Sequence, residues 1–252
     1  MTHRLPDVFS KNRSEEARED NWADFVVPPF LDDLGIKTQS KAIVIIGGRG
    51  CGKTTLLRYF SHATQFSPRR GTLPLEAFSH IGLYWRADTN FLNAFVGGEQ
   101  QPETWRNAFE HVLACDLGIE IIRALHNLNC NPERQQKYGK LNTLSLCDVK
   151  DFDEHLGSTL PELERSLQRS RRKLASWLNN IDTQPRPTFL PLQPFLSTLV
   201  GLLRAQLPYL SDSSFAVFID EYENLRDEQQ QFINGLLKHG TPPLIFNIAM
   251  KR

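Results

Sequence analysis

Residues 47–54 read GGRGCGKT and match the spacing G-x-x-x-x-G-K-S/T in full. Glycines let the backbone turn tightly, so that successive N–H groups face an anion. In this pattern Lys53 reaches the β- and γ-phosphates and the Thr54 hydroxyl ligates Mg²⁺. The pattern predicts a site for ATP and Mg²⁺ formed by Gly47, Gly48, Arg49, Gly50, Cys51, Gly52, Lys53, Thr54 and Thr55.

A second motif, FAVFIDE at 215–221, is an apolar run that ends in two carboxylates. One interpretation is a strand followed by an acid that caps a helix. The phosphate loop favours another, in which Asp220 joins Thr54 at the metal. Glu221 would then polarise a water molecule in line with the γ-phosphate. The catalytic candidates are therefore Glu221 and Lys53, and the metal candidates are Thr54 and Asp220.

The elements that must position these residues alternate along the chain. Short apolar runs predict strands at 41–46, 80–86, 215–219 and 244–250, and helical periodicity predicts helices at 104–128, 161–178, 194–207 and 227–239. This alternation predicts an α/β P-loop NTPase with a mostly parallel sheet flanked by helices. The polar stretch 129–187 predicts a helical insertion. We expect a flexible arm at 1–21 and one core at 22–252.

Composition narrows the class of protein. The chain has 252 residues, 29 basic and 29 acidic, and its zero net charge gives no overall attraction to nucleic acid or membrane. No signal peptide and no apolar run of membrane-spanning length are present, so we expect a cytoplasmic protein. The four cysteines form no C-x-x-C pair, which argues against structural zinc. The chain contains neither an N-K-x-D motif, which reads guanine, nor an L-S-G-G-Q-like motif.

GGRGCGKTTLLRYF, together with FIDEYENL and LIFNIAM, resembles bacterial AAA+ ATPases related to the origin-recognition-complex group. The resemblance covers roughly residues 22–90 and 215–252 and is weak or absent in 129–187. It implies that the adenine contacts are Phe25, Val26, Val27 and Pro28. It also implies that the α-helical lid and the arginine finger follow residue 252, so we expect both to lie outside this chain.

The same resemblance implies two further roles. A polar residue at the tip of the fourth strand senses the γ-phosphate, a place that Lys251 or Arg252 would hold, although asparagine is more usual there. A polar residue that closes the second strand often restrains the catalytic glutamate until a partner binds. Arg86 is the candidate, and an ordinary surface arginine is an equal alternative.

Three functions follow as hypotheses. The first is an ATPase module that switches the assembly or partner state of a larger protein, as in the multidomain anti-phage defence proteins of similar sequence. Its partners would be further copies of the chain or another protein. The second is a DNA-binding initiator or loader ATPase, to which the basic helix at 161–178 could contribute. The third is a scaffold that binds ATP and scarcely hydrolyses it.

Overall fold

The computed structural model describes residues 19–23, 25–28, 31, 35, 41–95 and 100–252. The strands are β1 (Val44–Gly47), β2 (His80–Arg86), β3 (Ser214–Asp220) and β4 (Leu244–Lys251). The α-helices of the described residues are α1 (Lys53–Tyr59), α2 (His62–Gln65), α3 (Thr89–Leu92), α4 (Pro102–Leu128), α5 (Pro132–Tyr138), α6 (Leu160–Asn179), α7 (Leu192–Gln206) and α8 (Asp227–His239). None of these helices is both long and apolar enough to cross a membrane.

The described strands form one four-stranded sheet in the order β1-β4-β3-β2, and all neighbours are parallel. This arrangement confirms the predicted α/β class. In the register, Gly47 lies opposite Lys251 and Arg86 lies opposite Asp220. Because the strands are parallel, the ends of β1, β2 and β3 meet at one edge of the sheet.

Strands β2, β3 and β4 are buried on both faces, as their apolar runs predict, whereas β1 exposes one face, with Val44 and Ile46 49% and 59% exposed. Along β3, Phe215, Val217 and Ile219 belong to the large core under α4 and α8, whereas Ala216 and Phe218 belong to a smaller core under α1. Alternate side chains of a strand point to opposite faces, which explains this division. Helices therefore hold the strand ends in place from both sides.

Helices α4, α6 and α7, here called the helical layer, cover one face. Helix α4 contacts β2, and both α6 and α7 pack against α4. Their contact is close at Gly118, where an added Cβ would lie 2.9 Å from Leu167 Cδ1 and 3.1 Å from Phe195 Cε1. The predicted insertion thus contributes α6 to the main core, through Leu163, Leu167 and other buried side chains.

The predicted N-terminal arm falls mainly at residues 1–18, outside the described residues. Its last residues contact the helices that follow β1. Asn21 is buried, its Nδ2 donates to Thr55 O at 3.1 Å, and its Oδ1 accepts from Thr64 Oγ1 at 2.8 Å. Asp20 Oδ2 accepts from Ser67 Oγ at 2.6 Å. These hydrogen bonds attach residues 20–21 to the core.

Candidate functional site

The glycine loop connects β1 to α1. Gly50 and Gly52 have φ angles of 78° and 91°, in the left-handed region that other residues enter only at a cost. Gly52 is the N-cap of α1, which begins at Lys53. Arg49 and Cys51, between the glycines, are exposed. The glycine spacing therefore matches the turns that the backbone makes.

Lys53 lies over this loop. Its Nζ donates to Gly47 O at 2.8 Å and to Gly48 O at 3.0 Å, and it lies 3.9 Å from Cys51 Sγ. The ammonium group is thus held at the mouth of the loop by main-chain oxygens. Exchanging such neutral acceptors for phosphate oxygens would strengthen the interaction, because hydrogen bonds between ions are the stronger class.

Asp220, at the end of β3, is where the two motifs meet. Its Oδ2 accepts from Thr54 Oγ1 at 2.6 Å and from Tyr84 Oη at 2.9 Å. Its Oδ1 accepts from the Glu221 N–H at 3.0 Å, and the residue is 2% exposed. Residues 166 positions apart in sequence are therefore in direct contact. The loop and the acidic strand end belong to one site.

Tyr84 is a site residue that the sequence analysis missed. Burial, with the neighbouring Asp220 carboxylate adding to it, raises the pKa of Tyr84, so the phenol remains a hydrogen-bond donor. The alternation of side chains along β2 could have indicated Tyr84 from the sequence. Tyr84 and Arg86 are two residues apart on β2, so they face the same side, and both reach the acids of β3.

Glu221 is held by its own set of contacts. Arg86 Nε and Nη2 donate to its two carboxylate oxygens at 2.8 and 3.1 Å, and Asn224 Nδ2 donates to Oε2 at 3.0 Å. The residue has a φ of 56°, a conformation that costs a non-glycine residue about 1–3 kcal/mol. Arg86 therefore pairs with the carboxylate that the resemblance expects it to restrain. Lys53, Thr54, Arg86, Asp220 and Glu221 are here called the strand-end cluster.

A comparison with known families agrees with this geometry. The family model described as ORC-CDC6-like matches residues 7–252. This chain belongs to the ORC-CDC6-like family. The resemblance read from the motifs is confirmed at the level of an ORC/CDC6-related AAA+ ATPase. Neither the curated proteins nor the solved structures give a significant match.

In this ORC-CDC6-like chain, the segment expected to contact adenine lies beside α1. Phe25 stacks on Tyr59, with the ring centroids 4.1 Å apart. Val26 and Val27 are 87% and 55% exposed, and Pro28 is half-buried. Apolar side chains in open positions are available to contact a base, whereas Phe25 already packs against protein.

Lys251, the last residue of β4, and Arg252 after it lie beside the start of the glycine loop. The Arg252 N–H donates to Gly47 O at 3.4 Å, and the Lys251 N–H donates to Glu223 Oε2 at 3.1 Å. Both side chains are exposed. This placement brings the backbone of the two sensor candidates to the site. Asn247, the asparagine of the same strand, is instead buried in the sheet, where it accepts from the Ile43 N–H and donates to Val217 O.

The residues present fit a magnesium ion bound with nucleotide. Hydroxyl and carboxylate oxygens are ligands that Mg²⁺ accepts, and Thr54 Oγ1 and Asp220 Oδ2 already lie together. Among the described residues no group of three or more His, Cys, Asp or Glu could hold a metal. The pair of Thr54 and Asp220 suits Mg²⁺, because this ion is commonly bound by one or two protein carboxylates together with the phosphates of a substrate.

Proposed function

We propose that this chain binds ATP with Mg²⁺ and hydrolyses it. The observation that supports this most directly is the 2.6 Å hydrogen bond from Thr54 Oγ1 to Asp220 Oδ2, which joins the phosphate loop to the acidic strand end. Membership of the ORC-CDC6-like family supports the same activity. When bound, Mg²⁺ would neutralise charge on the β- and γ-phosphate oxygens.

Each residue of the strand-end cluster has a proposed role. Lys53 binds the β- and γ-phosphates, and Thr54 and Asp220 hold the metal. Glu221 accepts a hydrogen bond from the attacking water and orients it. Val27 and Pro28 contact adenine, a proposal supported by the family resemblance and by the exposure of Val27.

The proposed role of Arg86 is to keep Glu221 from acting as a base. A carboxylate whose two oxygens both accept from one guanidinium is poorly placed to act as a base, because the guanidinium occupies both oxygens and fixes their direction. Hydrolysis therefore requires Glu221 to leave Arg86. We infer that the chain alone turns over slowly and that a partner, either another copy or another protein, releases the restraint.

The most specific role we propose is a switch in a larger assembly, in which ATP binding and hydrolysis change the partner state. The resemblance to ATPase parts of anti-phage proteins supports a role in phage defence. Plaque counts on cells that carry the intact gene or its Lys53→Ala variant test that role. Equal counts for both would contradict it.

Turnover of Glu221→Gln tests the activity. We expect hydrolysis to fall by about 10²- to 10⁴-fold while ATP remains bound, because the amide cannot act as a base. The matched control is Glu228→Gln, the same change at an exposed position in the first turn of α8. Equal hydrolysis by Glu221→Gln and wild type would show that the wrong base was chosen.

A second candidate, DNA binding, is favoured by one feature. Helix α6 carries exposed basic side chains at Arg165, Arg169, Arg172 and Lys173, whereas Arg171 is half-buried. If α6 binds duplex DNA, the affinity should fall steeply as the salt concentration rises. Replacing Arg171 and Arg172 should make this salt dependence less steep. No measurable binding at low salt would remove this candidate.

A third candidate, a scaffold that binds ATP with little turnover, is favoured by the Arg86–Glu221 pair itself. The two hypotheses separate on Arg86→Ala. A restrained ATPase should speed up when the guanidinium is removed, whereas a scaffold should remain slow. Hydrolysis of radiolabelled ATP in a single turnover, with binding measured in parallel, makes this comparison.

A further inference from the structure

A cavity of about 490 Å³ opens beside the strand-end cluster, between the end of β2 and helices α4 and α6. Its charged lining consists of Arg86, Asp116, Glu120, Arg123, Arg171 and Arg172. Ligand sites in proteins typically occupy about 300–1,000 Å³, so this cavity has room for a molecule the size of a nucleotide.

The cavity lining has more basic than acidic side chains, and both of its carboxylates already have cationic partners. Asp116 accepts from Arg171 Nε at 2.5 Å, and Glu120 accepts from Arg123 Nη1 at 2.7 Å. These two pairs cancel, and Arg86 is paired with Glu221, so Arg172 is left to supply the positive charge of the wall. Within the part of the chain that the structure describes, Arg172 makes no hydrogen bond or ion pair with protein and is exposed.

Buried partners fix the carboxylates in these pairs. Asp116 also accepts from Trp85 Nε1 at 3.1 Å, and Glu120 lies 3.0 Å from His62 Nε2. Both acids are therefore anchored from the protein side, and they orient Arg171 and Arg123 along the wall. Arginines oriented by anchored carboxylates differ from those on a solvated helix face, where the side chains have no fixed direction.

Arg86 connects the cavity to the candidate base. The same guanidinium that lines the wall donates its Nε and Nη2 protons to Glu221. An anion in the cavity would compete with Glu221 for this guanidinium. The planar fork of arginine matches two phosphate oxygens as well as two carboxylate oxygens, and a phosphate monoester carries about −1.5 to −2 charges, so a phosphate can replace Glu221 as the partner of Arg86.

We propose that this cavity binds a small phosphate-bearing ligand of nucleotide size, separate from the ATP in the glycine loop. Binding draws Arg86 towards the ligand phosphate and releases Glu221, so that ATP turnover rises. The binding half stands on the cavity alone, and the activation half rests on the proposed ATPase function.

A titration with AMP tests the binding half. The Lys53→Ala chain is used, so that the glycine loop does not contribute, and adenosine serves as the ligand without phosphate. We expect calorimetry to detect AMP but not adenosine. We also expect Arg172→Gln, made in the same chain, to weaken AMP binding by about tenfold or more. Arg165→Gln is the matched control, because Arg165 is exposed on the same helix away from the cavity.

Several results would overturn the binding half: no AMP binding, equal binding of adenosine, or equal effects of Arg172→Gln and Arg165→Gln. A short single-stranded oligonucleotide is titrated in parallel. If it binds through Arg172 while AMP does not, the cavity is a nucleic-acid contact and the small-ligand assignment is wrong. Thermal melting confirms that each variant is folded.

Turnover of the chain with native Lys53 tests the activation half. We expect AMP to raise ATP hydrolysis several-fold, Arg165→Gln to respond as wild type, and Arg172→Gln to need more AMP for the same effect. Bound AMP with unchanged turnover would overturn activation. If ATP is not hydrolysed with or without AMP, the proposed ATPase function fails, and the binding titration still decides the site.

Discussion

The strand-end cluster and the helical layer are stabilised in different ways. In the cluster, polar and partly exposed side chains from distant segments meet, as Arg86 and Glu221 do across 135 positions with 39% and 29% of their side chains exposed. In the layer, Leu163, Leu167 and many neighbours are fully buried and apolar. The cluster therefore suits chemistry and adds little stability, whereas the layer adds stability and positions β2. Substitutions in the two regions should have opposite effects on activity and folding.

The largest expected effect on ATP binding in the cluster is that of Lys53→Ala. Removing one partner of a desolvated charge pair costs about 2–5 kcal/mol, so ATP affinity should fall roughly 30-fold to several-thousand-fold. The free energy of unfolding should change by only about 0.5 kcal/mol, because Nζ contacts only the loop. Fluorescent-nucleotide titration and urea denaturation measure the two quantities. Lys41→Ala, at an exposed lysine before β1, is the control and should leave both unchanged.

Leu167→Ala should produce the reverse pattern in the layer. The side chain is fully buried where α6 approaches Gly118 of α4, and such truncations cost about 2–5 kcal/mol of stability. Turnover per folded molecule should stay near wild type. Denaturation by urea and an active-site titration check this. Arg165→Ala, exposed on the same helix, is the control and should change neither stability nor turnover. A large loss of turnover in folded Leu167→Ala would contradict the separation of the two regions.

His111 predicts a pH effect that belongs to the layer alone. Burial lowers the pKa of His111 to about 4, and its Nδ1 accepts the Leu190 N–H at 2.9 Å, which requires an unprotonated nitrogen. Because the folded pKa lies below the unfolded value, the unfolded chain takes up the proton first as pH falls. The stability due to neutral His111 is complete above about pH 6.5 and is lost towards pH 4.

We expect this histidine to remove about 2 kcal/mol of stability between pH 7 and pH 5. His111→Asn, whose amide oxygen can still accept the Leu190 N–H, should lose that part of the pH dependence in urea denaturation. His126→Asn, exposed on the same helix, should keep it. An unchanged slope in His111→Asn would show that the buried imidazole does not control the pH response.

Tyr84→Phe, beside the strand-end cluster, is the smallest of these changes. It removes one donor to Asp220, and hydrogen bonds to charged groups contribute about 1.5–3 kcal/mol. The Mg²⁺ concentration for half-maximal turnover should therefore rise about tenfold or more, with ATP affinity less affected. Tyr209→Phe also removes a phenol hydrogen bond, to Tyr138 O, but Tyr209 precedes the start of β3, at the other end of the strand from Asp220. It should alter stability and leave the Mg²⁺ dependence unchanged.

The two regions also differ in how far the sequence predicts them. Lys53, Thr54, Asp220 and Glu221 were predicted as one site because phosphate and metal chemistry allows few residue types at fixed spacing, and the structure brings Thr54 and Asp220 into contact. The α/β class and the limits of β2 and α8 also followed from periodicity. The partners Tyr84 and Asn224 did not, since their roles depend on a strand register that local sequence does not specify.

The layer was harder to predict for a physical reason. Residues 129–187 are polar on average, so their composition indicated an insertion on the core. The buried apolar side chains along one face of α6 nevertheless make this helix part of the main core. The start of β1 shows a smaller case. The strand was predicted from residue 41 but begins at Val44, and the Ile43 N–H pairs with the Asn247 side chain. A side chain 204 positions away provides that contact.

The central claim is that Lys53 and Asp220 act on one nucleotide and one metal, and paramagnetic resonance of Mn²⁺ tests it most directly. With Mn²⁺ in place of Mg²⁺, wild type should sequester the ion only when ATP is added. Lys53→Ala and Asp220→Asn should each abolish this ATP-dependent signal while remaining folded. If Asp220→Asn sequesters Mn²⁺ with ATP as well as wild type does, the acidic strand end does not share the site of the glycine loop, and the account is wrong.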